Sequence, residues 1–487
     1  MRRQHFLFFA VFFLLMVNVC RAHALFAYDG RRVIRVPLDY ETIQGAVDAA
    51  GVGDVVLVMA GTYYEHVLID KPLFLVGENP STTVIDGNGT GTIINVVVDG
   101  VVVDGFTLRN AYTGVFLDSK GNEVANSKIM FCSWDGAFVN VSDYNVIRNN
   151  EFSNNGDGYP GLWWGGGVCL SGSNSNIVSD NVMHDNVLYG VGVIIAVNNS
   201  ITRNVIMNNL GAGIYMLGAS YNDVTKNTVK NNSCGMEFHD DSLYPTCDNV
   251  FYYNNFMGNR YQLFDVYASY PNYWNSSEGE GNYWSDYEGK DLDGDLIGDT
   301  NLPHQEVDNH PLMIPYGLTT YTFKAHWGDA DYPVTIETDS AIEAFSFSQP
   351  EKQVSFNVTR PKYAQGTCNV TIPKELLQDN PWIIRLDTNN ITETTSITES
   401  QTHTTIYLNI EQGSHIVQII GTIAIPELKT PTILIIFTST TIISTVFTKL
   451  SKKETHRQCK PLTRTMIVPS KSRNSLIAKP KSKMPLM

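Results

Sequence analysis

The chain has 487 residues, 43% hydrophobic and 17% charged, more than one domain's worth and enough to bury a core. Outside its two ends, 20 Lys and Arg face 48 Asp and Glu, a net charge of −28 that repels nucleic acid and favours cations. The five cysteines of that region (Cys132, Cys169, Cys234, Cys247 and Cys368) are too few for a disulfide scaffold, although Cys234 and Cys247 could form one local bridge.

Residues 1–24 read as a secretory signal. Arg2 and Arg3 precede an apolar run from Phe6 to Val19, and Ala22-His23-Ala24 is a small-x-small cleavage site. A retained anchor is the alternative. Cys20 makes a poor lipid-attachment site because Val19 precedes it.

The mature chain opens on ETIQGAVDAAG, with Ile43, Ala46, Val47 and Ala50 at i, i+3, i+4 and i+7. This short amphipathic helix suits the cap that a solenoid's open end requires. Glycine-punctuated strand-like stretches follow, from VVLVM to GFTLRN. An asparagine phrase then recurs from Asn145, Asn176, Asn199, Asn222 and Asn249, at steps of 31, 23, 23 and 27 residues.

A period in the low twenties signals a solenoid, and the scarcity of leucine at repeating positions excludes leucine-rich repeats. Position three of each phrase is apolar (Ile147, Val178, Ile201, Val224, Phe251), as is position eight (Phe152, Met183, Ile206, Val229, Phe256). A glycine and a short alternating strand (GVCL, GVGV, GIYM, GMEF) follow each phrase but the last. The expectation is an all-β chain: a right-handed parallel β-helix, three short strands per turn, over residues 25–315. Asn150, Asn181, Asn204, Asn227 and Asn254 should stack as an amide ladder at an inside bend. On this reading Asn204→Leu destabilises the coil more than Asn209→Leu.

In the third strand, Val191, Val193, Ile214 and Met216 point inward. Cys169, Gly192, Tyr215 and Glu237 point outward, with Phe116 and Phe138 at the same position in two earlier turns. The insertion GDGYPGLWWG precedes GVCL and the insertion HDDSLYPTC follows GMEF, flanking one face. Extra residues on a solenoid gather on its binding face. Tyr159, Trp163, Trp164 and Tyr215 are therefore candidates for stacking on sugar rings. Glu237, His239, Asp240 and Asp241 are candidates for binding hydroxyls or a metal, or for acid–base catalysis. The alternative is a tryptophan loop packed on the coil beside solvated acids. No pectin-esterase, pectate-lyase or polygalacturonase signature is present, and no Arg or Lys stands beside the acids on this strand.

The loop DLDGDLIGD places Asp291, Asp293, Asp295 and Asp299 at positions 1, 3, 5 and 9, a spacing that can fold round Ca²⁺. It departs from the EF-hand in having glycine at position 4 and no glutamate at position 12. A solvated Asp-Gly turn is the alternative. Longer alternating strands from about Thr319 predict a compact β-sandwich over 316–424. A linker spans 425–430. Residues 431–450 are uncharged up to Lys449 and long enough to cross a bilayer as one helix; a buried strand pair is the alternative. Lys449, Lys452 and Lys453 begin a basic tail, 451–487, that a positive-inside orientation leaves in the cytoplasm, against anionic lipid. Eight Asn-x-Ser/Thr sequons, at Asn88, Asn140, Asn198, Asn231, Asn275, Asn357, Asn369 and Asn390, suit an exported glycoprotein.

Two stretches carry a family resemblance. ETIQGAVDAAGVGDVVLVMAGTYYEHVLIDKPLFLVGE resembles the opening of the NosD-like β-helix proteins, and GNYWSDYEGKDLDGDLIGDTNLPHQEVDNHPL resembles their end. The resemblance covers about residues 35–315. The sandwich, linker and anchor resemble those of archaeal cell-surface proteins. Membership implies the pectin-lyase-like fold strongly and the function weakly. The family's founding role is accessory, in assembling a copper enzyme, and other members are described as copper-binding or carbohydrate-binding. For copper, His184 and Met207 share an outward position on consecutive turns, with Lys230 and then Met257 beyond them; Met183 and Met216 fall on core positions. The reading is a membrane-anchored surface protein that binds polysaccharide. Its rivals are a polysaccharide lyase, epimerase or hydrolase, and a copper-handling accessory protein.

Overall fold

The computed structural model describes residues 30–156, 165–240, 243–264, 271–327, 330–378 and 381–424. The helix α1 (Ile43–Ala49) stands where its periodicity places it. Thr42 caps it by accepting from the Gly45 amide at 3.1 Å, and Ile43, Ala46 and Val47 are buried. The Glu65 carboxylate takes the amides of Ile43 and Gln44 at 2.9 and 3.0 Å, so further free donors of the helix start are satisfied.

Beyond α1 the chain winds through about ten turns. Each turn adds one strand to each of three parallel sheets. The first sheet runs from Val33–Val36 to Val250–Tyr252, the second from Gly61–Tyr63 to Tyr283–Trp284, and the third from Val67–Ile69 to Tyr261–Phe264. Strands of three to six residues are common because the chain bends after each, and every strand but the first and last of each sheet pairs with its equivalents one turn before and after. Ile147, Val178, Ile201, Val224 and Phe251 line the core from the first sheet; Phe152, Met183, Ile206, Val229 and Phe256 line it from the second. Each such side chain contributes roughly 1.5–3 kcal/mol by leaving water.

The bends are held by three asparagine ladders. In each ladder a residue with positive φ, such as Arg203 (φ 57°) or Asn208 (φ 56°), precedes an inward-pointing asparagine. One ladder runs through Asn199 and Asn222, a second through Asn204 and Asn227, and a third through Asn209 and Asn232. Asn204 and Asn209 each donate both the main-chain amide and the side-chain amide to the carbonyl oxygen of the next rung, whereas Asn145 donates only its main-chain amide. The expected difference between Asn204 and Asn209 is therefore corrected. Both are buried (1% and 2% exposed), and both make these bonds.

The second ladder ends on a charge. Asn282 donates its main-chain amide to Asp308 Oδ2 at 2.9 Å, and Trp284 donates Nε1 to the same oxygen at 2.8 Å. Rings close the last turns: Trp274 stacks on Phe251 at 4.4 Å and Trp284 on Phe256 at 4.5 Å. The aromatic loops after the repeat are thus its lid.

From Thr319 the pattern is antiparallel. One five-stranded sheet contains Thr319–Trp327, Ala330–Thr338, Thr367–Pro373, His403–Asn409 and Ser396–Glu399; another contains Ala341–Ser348, Gln353–Arg360, Gly413–Ile420, Ile383–Leu386 and Asn389–Asn390. Alternate residues (Val334, Ile336, Val354, Phe356, Val370, Ile406, Ile419) are buried, the pattern of a sandwich. No helix among the described residues is long and apolar enough to cross a membrane. The signal, the linker, the expected membrane segment at 431–450 and the basic tail lie outside the described residues.

Candidate functional site

The third sheet sets the outward side chains in register. Phe116 pairs with Phe138, Phe138 with Cys169, Cys169 with Gly192, Gly192 with Tyr215, and Tyr215 with Glu237. Phe116 and Phe138 lie parallel, 5.5 Å apart with 7° between their planes. The middle of the column is closed. Cys169 is buried, and the Tyr189 ring lies over Gly192, where a Cβ would come within 2.8 Å of it. Glycine is required there because a ring occupies its side-chain space.

Tyr189 also reaches inward. Its hydroxyl donates to Asp135 Oδ1 at 3.1 Å, which further accepts from the amides of Gly166 (2.8 Å) and Gly165 (3.3 Å). Asp135 Oδ2 is buried and has no hydrogen-bond partner among the described residues. Burial outweighs the three donors and pushes the carboxyl up to about 7.

Tyr215 is only 7% exposed. One side of its ring meets Tyr189 at 5.9 Å, and the His239 ring stands 5.3 Å away, so the face expected for sugar stacking is largely covered. Burial, then the Glu237 charge, raises its phenol to about 12. Glu237 and His239 are brought together: Oε1 and Nε2 are 2.8 Å apart, and both side chains are partly open to solvent. Asp240 Oδ1 accepts from the Thr246 amide at 2.9 Å and so ties down the following loop. Tyr159, Trp163, Trp164 and Asp241 lie outside the described residues.

In the acidic loop, Asp291, Asp293 and Asp299 each offer an oxygen, all within 4.8 Å of one another. Amide donors position them: Gly294 and Leu296 bond to Asp291 at 2.7 and 2.9 Å, and Leu292 bonds to Asp299 at 2.7 Å. Asp295 is not in that group. Its Oδ1 accepts from the Ile297 amide at 2.8 Å. Burial, then the charges of Asp293, Asp291 and Asp299, raise its carboxyl above the ordinary range.

Among the described residues, the copper candidates read from the sequence are partly engaged by other groups. His184 is in register with Met207, and Met207 with Lys230. Both imidazole nitrogens already face carboxylates: Nδ1 stands 2.6 Å from Asp185 and Nε2 3.4 Å from Glu151. The five cysteines are free thiols, so the local Cys234–Cys247 bridge that the sequence allows is not formed; the Cys234 thiol donates instead to the Met236 carbonyl. Burial raises Cys132, Cys234 and Cys368 to about 12, far from the thiolate a soft metal needs. The acidic cluster found among the described residues offers only hard oxygen.

Sequence reasoning missed the corner between the second and third sheets. Tyr112 and Trp134 stack there at 5.9 Å and are 46% and 45% exposed. Both stand two residues before the glycine of a third-sheet strand, and that offset is the signal that could have found them.

These features define the chain's class, a parallel β-helix with an aromatic and acidic outer face. The family model described as "Periplasmic copper-binding protein (NosD)" matches residues 76–289, and the coil is a NosD-like right-handed β-helix. The chain is similar to several solved structures. The alginate lyase from Paenibacillus sp. str. FPU-7 is 12% identical, with a TM-score of 0.34 over 50% of this chain and 98% of that one. The A-module of the mannuronan C-5 epimerase AlgE6 of Azotobacter vinelandii is 15% identical, with a TM-score of 0.30 over 47% and 92%. The Dettilon tailspike protein is 10% identical, with a TM-score of 0.34 over 80% and 94%. At these identities the likeness is one of fold alone. No curated protein matches the chain.

Proposed function

We propose that this is an extracellular β-helix protein, anchored by residues 431–450, that binds polysaccharide on the outward face of its third sheet. The observation that carries the reading is the aligned column itself. The parallel Phe116–Phe138 pair offers stacking surface at one end, and the Glu237–His239 pair offers hydrogen bonds at the other. Sugar sites combine such apolar surface with a few placed polar groups. The acidic loop holds Ca²⁺ through Asp291, Asp293 and Asp299 and stiffens the end of the coil. The net charge of −28 outside the two ends favours a neutral glycan over an anionic one.

The test is incubation of the full chain, purified in detergent, with a glycan panel. Retention of a glycan without new ends supports binding. New unsaturated or reducing ends support the lyase or hydrolase reading, with Glu237 and His239 as its acid and base. A copper-handling role, favoured by the family description, is tested by copper titration of the same protein.

A further inference from the structure

At the corner between the second and third sheets lies a cavity of about 460 Å³, walled by Tyr64 and Phe131, with Asp86, Asn88, Asn110 and Ser133 among its lining. This size suits a small ligand. Its two rings are largely open to solvent, Tyr64 at 70% and Phe131 at 53% exposure.

Phe131 is costly where it stands. It occupies the bend that Asn110, Asn154, Asp185, Asn208 and Asn231 occupy in other turns, and its φ is +56°. Asparagine and aspartate adopt this conformation at lower cost than a bulky aromatic residue, although Tyr144, Tyr221 and Tyr253 also adopt it at other bends. The core gains little from the ring, because more than half of it is exposed.

Asp86 is the acid among the polar groups of the lining. Asp86 Oδ2 accepts from Arg109 Nε at 2.8 Å and from Asn110 Nδ2 at 2.9 Å, while Oδ1 accepts from the Asn88 amide at 3.0 Å. Arg109 is not among the lining residues, so Asp86 is the one charged side chain that lines the cavity. The Asn88 carboxamide faces solvent and has no hydrogen bond among those described. Two exposed aromatic rings beside hydrogen-bonding groups suit a pyranose ring; a phosphate or a uronate would meet the Asp86 carboxylate and no cation of the lining.

We propose that the Tyr64–Phe131 cavity is a sugar subsite, separate from the third-sheet face, that takes an uncharged pyranose unit. Phe131, Trp134 and Phe138 follow one another along a single turn, so one glycan chain reaches from the cavity around the corner to that face. The inference rests on the reading above in one respect, that the ligand is a glycan.

The test uses the full chain made in a host that does not glycosylate, since Asn88 lies in the sequon Asn-Gly-Thr. Neutral gluco-, manno- and N-acetylglucosamine oligosaccharides are titrated calorimetrically, with an oligouronate alongside. Phe131→Asn relieves the bend, so its Tm should equal or exceed that of the parent while affinity for the neutral oligosaccharide falls at least tenfold. Tyr64→Ala should lower affinity in the same way. Full affinity in Phe131→Asn, together with loss in Phe116→Ala, overturns the subsite and leaves the third-sheet reading standing. Tighter binding of the oligouronate overturns the neutral assignment. If no saccharide binds the parent protein, the functional reading itself fails and takes the subsite with it.

Discussion

Asn227 Oδ1 accepts two hydrogen bonds from Asn204, one from its main-chain amide at 2.9 Å and one from its side-chain amide at 3.0 Å. Asn204 Nδ2 also donates backward to the Val178 carbonyl at 2.8 Å. A single side chain thus satisfies backbone groups that the bend would leave unpaired, each worth roughly 1–3 kcal/mol when buried. Asn209 does the same toward Asn232 and Met183. Asn204→Leu and Asn209→Leu should therefore destabilise the coil alike, each by at least about 2 kcal/mol. Urea unfolding checks this against Asn140→Ala, which loses only a bond to Asp118. A large gap between the two leucine variants would refute the equivalence of the ladders.

The comparison of sequence with structure turns on the same residues. The asparagine phrase reveals the coil because each phrase supplies one rung to each of three ladders, so the period is written into the polar residues as plainly as into the core. The helix α1 is legible because its stripe has a period of its own. The standing of Asn209 is not, since a five-residue spacing does not say which asparagines turn inward. Nor is the covering of Tyr215: strand alternation marks it as outward, but the ring that covers it comes from Tyr189 on the neighbouring turn. Phe131 and Trp134 escape notice because their exposure depends on where the chain bends.

Asp308 should be indispensable to the closed end. It receives Asn282, Trp284 and the His310 amide, and burial raises its carboxyl above the ordinary range. Asp308→Ala leaves these donors unpaired and should cost about 3 kcal/mol or more. Hydrogen exchange should then rise first in the turns nearest Trp284. Uniform loss of protection along the coil would contradict a local cap.

Asp135 should make stability depend on pH. Its carboxyl keeps a proton to about pH 7 in the folded chain and releases it near the ordinary value of 3.8 when unfolded. Between those values the native state binds more protons, so this group's contribution falls as pH rises and levels off above about pH 7. Asp135→Asn, which mimics the protonated acid, should flatten Tm between pH 4 and 7 relative to the parent. An unchanged difference between the two proteins across that window would dismiss the buried acid as its cause.

Calcium should raise Tm, and a chelator should reverse the rise. Free Ca²⁺ at a hundred times its dissociation constant adds about 2.7 kcal/mol. Asp293→Asn and Asp299→Asn should abolish the shift, while Asp295→Asn, whose carboxylate lies outside the oxygen cluster, should reduce it less. A shift that survives Asp293→Asn places the ion elsewhere.

The ladders have a direction. Each rung passes its amide protons to the next, toward Asp308, and the carboxylate meets the donor end of the second row. One complete winding of 23 residues, such as 199–221, can therefore be deleted or duplicated with every row still joined. Windings of 31 and 27 residues keep the same rungs joined, so extra residues are tolerated only where they lie between the phrases. The coil's length is counted in whole units, and evolution or design can change it only by integers.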